Sequence, residues 1–179
     1  MLDGDAKILR LTSVTVTREK QLSLQNEFDK YASATNFVIK SILQKHITKA
    51  QRTVELLEEE FSERFDSRPQ YLTDVVKTAR VEIGRHRKLA RTIRTMRDKT
   101  PFFKPGRIIL SHPLVSVSEK ALILKTLEGE ETPVPFDKHS RNRVVDDLAE
   151  LAKDPSGYGR VRITWNKQGY VDIDIRCTN

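Results

Sequence analysis

The order of hydrophobic and polar residues predicts one strand, then helices, then a series of short strands. Residues 7–16, KILRLTSVTV, are rich in β-branched and apolar residues and lack glycine and proline, which is typical of a strand. From Thr17, a candidate N-cap, a period of three and four residues indicates an amphipathic helix. The period is interrupted near residues 46–48, so the segment forms one long helix or two. Its periodic positions are Leu24, Phe28, Tyr31, Thr35, Val38, Ile42, Val54, Leu57 and Phe61.

A second helical segment follows the breaker SERFDSRPQ at residues 62–70. Pro69 suits the first turn of a helix, and Ser67 or Asp66 is the expected cap. The side predicted to face the preceding helix carries Tyr71, Val75, Ala79, Ile83, His86, Ala90 and Ile93. At about 100° per residue, a neighbouring stripe carries Arg80, Arg87, Arg91 and Arg94. The rise of a helix gives this stripe a length of about 21 Å.

The segment TPFFKPG at residues 100–106 ends the helix, and the apolar period then falls toward two. We expect strands at 107–110, 114–118, 121–127, 131–136, 160–165 and 170–177, with a short helix near 141–153. Several short strands without alternating helices indicate a small antiparallel barrel or sandwich. The first strand finds sheet partners only after residue 106, so the helices are an insertion.

We therefore predict an α+β fold in which a small antiparallel β-barrel carries an inserted helical bundle. The predicted barrel domain comprises residues 1–16 and 101–179, and the predicted helical domain comprises residues 17–100. The chain has 179 residues, of which 37% are hydrophobic, and it can form cores of this size. It has no apolar run of the roughly 18 residues that a membrane span needs. Since a signal-peptide pattern is also missing, we expect a cytoplasmic protein without a membrane partner.

Charge indicates a binding protein. Lys and Arg outnumber Asp and Glu by 32 to 25, and the formal net charge of +7 favours an anionic partner. The acidic residues gather in 54–66 and the basic ones in 80–99, which predicts a basic face. Arginine suits phosphate because its planar guanidinium donates two parallel hydrogen bonds, and an elongated row matches a polyanion. The alternative is a solvated face balanced by the acidic residues Glu58, Glu59, Glu60 and Glu63.

The candidate nucleic-acid contacts are the basic residues of the second helix and of the segment after it. The predicted phosphate ligands are Arg80, Arg87, Arg91 and Arg94, helped by Arg85, Lys88 and Arg97, with Lys104 and Arg107 extending the track. Phosphate contacts position a protein without reading sequence. The aromatic residues that could stack on unpaired bases are Phe102, Phe103, Trp165 and Tyr170. Core packing is the favoured interpretation for each of these rings taken singly.

Catalytic chemistry finds little support in the sequence. The single cysteine, Cys177, and the four histidines lack metal-ligand spacing, so we expect neither a metal site nor a cofactor. Asp172 and Asp174 share one face of a strand, as the metal-binding carboxylates of a nuclease would. Alternation in a half-exposed strand gives the same pattern, and the common phosphate-loop, serine-elbow and zinc-protease motifs are missing. We therefore expect no enzyme activity. A small metal-dependent nuclease that uses Asp172 and Asp174 is the alternative, and it is weaker than the two binding hypotheses given below.

Six segments follow one another along the chain: KILRLT, YASATNFVIK (31–40), RPQYLTDVVKTAR (68–80), PFFKPGRIIL, TPVPFDKH and GRVRITWNKQGYVDIDI. This series resembles the N-terminal half of the TnpB/OrfB family, transposon-encoded RNA-guided endonucleases related to type V CRISPR effectors. The resemblance covers nearly the whole chain, and it rests on the order of the segments rather than on any single motif. In that family, the segment like GRVRITWNKQGYVDIDI forms a hairpin. The first catalytic aspartate, the RuvC-type nuclease lobe and the zinc-binding cysteines follow it. This sequence stops at IRCTN, so no catalytic or zinc residue is carried over.

The resemblance implies a wedge-like β-barrel and a helical recognition insertion that together grip guide RNA and the guide–target heteroduplex. In such systems base pairing reads the sequence, while the protein reads the backbone and a short flanking motif. We therefore expect a non-catalytic nucleic-acid-binding module whose partners are structured guide RNA and target DNA. It is either a fragment of a TnpB-like protein or a standalone derivative that works with a separate nuclease-bearing chain. The competing hypothesis is a protein-interaction or regulatory module whose basic helix docks an acidic partner.

Overall fold

The computed structural model describes residues 7–178, so residues 1–6 and 179 of the predicted barrel domain lie outside the described part of the chain. Helices and antiparallel sheets are both present, as the predicted α+β class requires. The described chain divides into two compact units. The sheet unit contains residues 7–26 and 106–178, and the helical unit contains residues 27–105.

The helices are α1 (Arg18–Lys45), α2 (Ala50–Arg64), α3 (Pro69–Thr92), α4 (Lys138–Asn142) and α5 (Val145–Lys153). The strands are β1 (Ile8–Thr12), β2 (Arg107–Leu110), β3 (Val115–Val117), β4 (Ala121–Lys125), β5 (Glu131–Pro135), β6 (Tyr158–Asn166) and β7 (Tyr170–Cys177). A short 3-10 turn at Arg94–Met96 comes after α3, and another at Pro155–Gly157 comes after α5. Each predicted strand and helical segment is present, although the helix predicted near 141–153 forms the two helices α4 and α5. Most ends differ from the prediction by a few residues, and the end of α3 differs by more. The largest difference in the strands is β1, which ends before the predicted residue 16.

The strands form two antiparallel sheets, with the orders β1-β7-β6-β2 and β3-β4-β5. β1 and β2 belong to the same sheet, so α1, α2 and α3 enter the sequence between two strands of one sheet. An isolated bridge pairs Ser13, just after β1, with Phe136, just after β5. Within residues 7–178 the strand ladders do not close into a ring, so the observed architecture is two sheets.

Alternating side chains of the strands form the core of the sheet unit. In β7, Val171, Ile173 and Ile175 are buried, whereas the intervening Asp172 and Asp174 are only half-buried. This is the period-two pattern of a strand with one covered face. Burial of such apolar side chains provides the main driving force for folding.

The first helical region of the sequence forms two helices. Thr17 caps α1 as predicted, since its Oγ1 accepts a hydrogen bond from Lys20 N at 3.4 Å. α1 ends at Lys45, and His46 then adopts a left-handed conformation with φ of 53°. Within the helical unit, the buried side chains include Phe28, Tyr31, Val38, Leu57, Phe61, Tyr71 and Val75.

The start of α3 differs from the prediction. Its N-cap position is Arg68, directly before Pro69, so the expected caps Ser67 and Asp66 are wrong. The buried Asp66 instead accepts hydrogen bonds from Arg68 Nε at 3.0 Å and from Lys30 Nζ at 2.7 Å. Burial opposes ionisation of Asp66, but the hydrogen bonds from Arg68 and Lys30 outweigh it and hold its carboxyl pKa below the usual value. The carboxylate is thus part of an ion-pair cluster and does not cap the helix.

Candidate nucleic-acid interface

The candidate phosphate ligands lie mainly in the second half of α3 and in the turn after it. We call residues 80–97 the basic segment. Arg, Lys, Leu and Ala are good helix formers, and the segment lacks proline, so its first part continues α3. Its exposed basic side chains are Arg80, Arg85, Arg87, Lys88, Arg91, Arg94 and Arg97.

One face of α3 carries Arg80, Arg87 and Arg91. Steps of seven and four residues keep these three side chains within about 40° of one another around the helix. The helical rise places Arg80 and Arg91 about 16 Å apart along the axis. Three guanidinium groups thus form a row along one helix face.

The buried face of α3 is shorter than predicted. Ile83 is its last buried residue; His86 and Ala90 are half-buried, and Ile93, just beyond the helix, is 44% exposed. The prediction of a buried stripe is therefore confirmed up to Ile83 and wrong at Ile93.

The helix also ends earlier than predicted. Ile93 has an extended backbone, with φ of −113° and ψ of 107°, and the 3-10 turn Arg94–Met96 follows it. The β-branched Thr92 and Ile93 have lower helix propensity than the residues before them. Arg97 Nε donates a hydrogen bond to Ala90 O at 3.0 Å, which satisfies one carbonyl at the helix end. Arg94 therefore lies outside α3, and the predicted row of four helical arginines is reduced to three.

The three arginines of the row form no direct ion pairs among the described residues. Within residues 7–178, the carboxylates make no ion pair shorter than 4 Å with Arg80, Arg87 or Arg91. Arg85 does pair with Glu82, at 3.5 Å. In α2, Glu60 pairs instead with its own helix neighbour Arg64, at 3.4 Å. Most of the positive charge of the basic segment is therefore directed to solvent.

A shallow depression of about 550 Å³ lies at the C-terminal end of α3. It is lined by His86, Arg87, Ala90, Arg91 and Arg97. Three of these five residues are arginines, so this depression would attract an anionic group such as a phosphate.

The two remaining basic candidates lie in different units. Lys104 is exposed and belongs to the helical unit. Arg107 belongs to the sheet unit, where it is half-buried on β2 opposite Thr164 of β6. Only Lys104 thus shares a unit with the basic segment.

The four aromatic candidates differ in exposure. Phe103 is fully buried and packs edge to face on Tyr31, with ring centroids 5.6 Å apart, so the favoured interpretation of core packing is confirmed for this ring. Phe102 is 63% exposed, and Trp165 and Tyr170 are half-buried. Phe102 therefore offers the most accessible ring of the four.

The sequence reasoning missed Arg64, a basic residue outside the basic segment. Its guanidinium lies 4.7 Å from the ring centroid of Phe37 and 5.3 Å from that of Phe65. Such cation–π contacts hold the guanidinium against the aromatic rings. The adjacent Arg64 and Phe65 were visible in the sequence, but the approach of Phe37 from α1 depends on the tertiary fold.

Of the two carboxylates considered for a nuclease, Asp174 is paired with an arginine. Arg162 Nε on β6 donates a hydrogen bond to Asp174 Oδ2 on β7 at 3.2 Å. Asp172 and Asp174 line a groove of about 580 Å³ together with Arg10, Arg143 and other polar residues, so its charges are mixed. Among the residues that the structure describes, no cluster of three His, Cys, Asp or Glu side chains could hold a metal ion.

Comparison with models of protein families and with curated proteins finds no match to this chain. The resemblance to the TnpB/OrfB family therefore stays a prediction from the ordered segments. None of the helices between residues 7 and 178 combines the length and apolar composition that a membrane span requires.

Proposed function

We propose that this chain is a non-catalytic nucleic-acid-binding module whose basic segment holds a sugar–phosphate backbone. The observation that carries the proposal is the row of Arg80, Arg87 and Arg91, exposed on one face of α3 without carboxylate partners among the described residues. A row about 16 Å long extends past a single phosphate group and fits a polyanion. Arg97 and the depression at the end of α3 extend the same surface.

Structured guide RNA and target DNA are the proposed ligands, following the resemblance to the TnpB/OrfB family. A cytoplasmic location and a wedge-like barrel in the sheet unit are part of this proposal. Main-chain hydrogen bonds between the two sheets favour a barrel-like arrangement, since Val14 N donates to Pro135 O at 3.0 Å next to the Ser13–Phe136 bridge. Cleavage would be the task of a nuclease lobe, either in the same protein or in a separate chain.

The second candidate function is docking of an acidic protein by the same helix. Leu89 is 40% exposed and Ile93 44% exposed, so apolar side chains lie among the arginines. Interfaces between proteins combine such apolar side chains with arginine. Nucleic acid is favoured because seven exposed basic side chains in the basic segment outnumber its three exposed large apolar ones, Val81, Leu89 and Ile93.

The test is a binding titration of the purified, nuclease-treated chain with structured RNA, single-stranded DNA and duplex DNA across a salt series. Arg87→Glu/Arg91→Glu is the test variant. Lys49→Glu/Arg52→Glu is the matched control, because it makes the same charge change at two exposed positions around the start of α2.

Binding through about five phosphates predicts a log–log salt slope of roughly −3.5 for single strands and −4.5 for duplex. The test variant should bind much more weakly and with a flatter slope, whereas the control should bind nearly as tightly as the natural chain. Preference for structured RNA would support the guide-holding role. If none of the three nucleic acids binds at low salt, the proposal is refuted and the acidic protein partner is favoured.

A further inference from the structure

An exposed aromatic ring lies on the helical unit outside the basic segment. Phe102 is 63% exposed, and it is the only Phe, Tyr or Trp residue between 7 and 178 that is more than a third exposed. Exposure of a large aromatic side chain forgoes the free energy gained by its burial. A ring in this position is therefore a candidate for contact with another molecule.

The backbone on both sides of Phe102 is held in place. The next residue, Phe103, is buried, and its N–H and C=O are both hydrogen-bonded to the Asn36 side chain, at 2.8 and 3.0 Å. Pro101 precedes Phe102 and Pro105 follows two residues after Phe103, and proline restricts the backbone angle φ at each. Phe102 is thus presented on an anchored segment.

Two cavities adjoin Phe102. The larger has a volume of about 620 Å³ and contains Phe37 and Arg64, and the smaller has a volume of about 450 Å³ and contains Leu43. Phe102, Asn36 and Lys40 line both cavities. Each cavity lies within the size range of small-molecule sites, so each has space for a flat ring beside Phe102.

The charges around these cavities favour an anionic aromatic ligand. Lys40 lines both cavities, and Arg64 lines the larger one while it also pairs with Glu60 at 3.4 Å. Asp29 is the only carboxylate on the larger cavity, and the smaller has none among its described lining residues. A nucleobase with its phosphate combines a flat ring with negative charge, and both features are complementary to this surface.

We propose that Phe102 stacks on unpaired bases of a single-stranded nucleic acid, whose phosphates Lys40 and Arg64 contact. The inference rests on the proposed function and adds a second, base-contacting surface to the phosphate-binding row. Stacking on an aromatic ring tolerates every base, because each base has a π face. The site thus distinguishes unpaired from paired strands and does not read sequence.

The experiment compares three fluorescent probes with the full chain: a dT15 oligonucleotide, an abasic strand with the same number of phosphates, and a duplex of equal length. The variants are Phe102→Ala, Phe102→Leu and Phe102→Trp. Leucine keeps apolar bulk without a π face, and tryptophan enlarges the π face. Circular dichroism checks that each variant is folded.

Phe102→Ala and Phe102→Leu should weaken dT15 binding by roughly 5- to 100-fold, as the loss of one stacked base predicts. Binding of the abasic strand should stay unchanged, and Phe102→Trp should keep the dT15 affinity of the natural chain. The indole emission that Phe102→Trp adds to the Trp165 background of the natural chain should be quenched by unlabelled dT15 and not by the unlabelled abasic strand.

Equal loss of abasic and dT15 binding would overturn the proposal, and so would full retention of dT15 binding by Phe102→Leu, which indicates a purely apolar contact. Either result leaves the proposed function intact if Arg87→Glu/Arg91→Glu still weakens all three probes. Failure of the natural chain to bind any probe at low salt would refute both.

Discussion

The Asn36 side chain binds both main-chain polar groups of Phe103. Its Oδ1 accepts a hydrogen bond from Phe103 N at 2.8 Å, and its Nδ2 donates one to Phe103 O at 3.0 Å. Phe103 lies between the 3-10 turn and β2, outside the strands, and a single amide side chain bonds to both of its main-chain polar groups. The same pair of bonds fixes the position of the neighbouring Phe102.

Replacement of Asn36 by Ala should lower the free energy of unfolding by about 1–3 kcal/mol, because two partly buried main-chain groups lose their partner. Asn36→Asp should cost less, since a carboxylate still accepts from Phe103 N but cannot donate to Phe103 O. Urea unfolding measures the free energy of unfolding of both variants. Gln44→Ala, at an exposed position of the same helix, is the control. Equal stability of Asn36→Ala and the natural chain would contradict the anchoring role.

Asp66→Asn should destabilise the helical unit. The Asp66 side chain is completely buried, while Lys30 and Arg68 remain about one fifth exposed. Asp66→Asn removes the buried negative charge that Lys30 and Arg68 both contact, and we expect a loss of about 1–3 kcal/mol. Asp147→Asn removes the exposed ion pair with Lys7 and should have no measurable effect. Thermal unfolding of the two variants compares a buried pair directly with an exposed one.

The contribution of Asp66 should disappear in acid. Its pKa in the folded chain lies below the usual value of 3.8, so the ionised carboxylate stabilises the fold. This stabilisation is fully present well above 3.8, and it is lost as the pH falls through the lower pKa of the folded state. The difference in unfolding free energy between the natural chain and Asp66→Asn should therefore be constant from pH 7 to about 5 and shrink below pH 4. A difference that grows in acid would show that the pKa of Asp66 is raised.

Two glycines should respond to alanine in opposite ways. Gly84 lies within α3, and a Cβ added there meets no atom within 4 Å, so Gly84→Ala should stabilise the chain by about 0.5–1 kcal/mol. Gly106 has φ of 117°, which an alanine adopts only with strain, so Gly106→Ala should destabilise it by about 1–2 kcal/mol. Denaturant midpoints of the two variants give the comparison. A gain for both would show that Gly106 relaxes at little cost.

The periodic patterns predicted the elements because each follows from local side-chain spacing. The alternation in β7 indicated that Asp172 and Asp174 share a face, and both lie there. The end of α3 was harder to predict, because residues 93–100 contain neither glycine nor proline. There the helix ends through the extended backbone of Ile93 and the hydrogen bond from Arg97 to Ala90, and this side-chain contact follows from no spacing rule.

In the candidate site, too, some features follow from the local sequence and others depend on tertiary contacts. The exposure of Arg87 and Arg91 follows from charge, which keeps such side chains in water. The sequence could not tell which of the adjacent rings Phe102 and Phe103 is buried, because that depends on Tyr31 and Asn36 of a distant helix. Closure of a sheet into a ring, which the strand ladders of residues 7–178 do not show, likewise depends on how strand edges pair and not on any one strand.

β1 receives its hydrogen-bonding partner last. When the chain emerges from a ribosome, Ile8–Thr12 leaves before the other described strands and helices, and the β7 residues that pair with it follow only at the other end of the described chain. The helical unit is contiguous in sequence, so it can fold while the rest is still being made. In that interval β1 exposes an apolar strand to other chains, and Lys7 and Arg10 then act as charges that oppose edge-to-edge aggregation until β7 arrives.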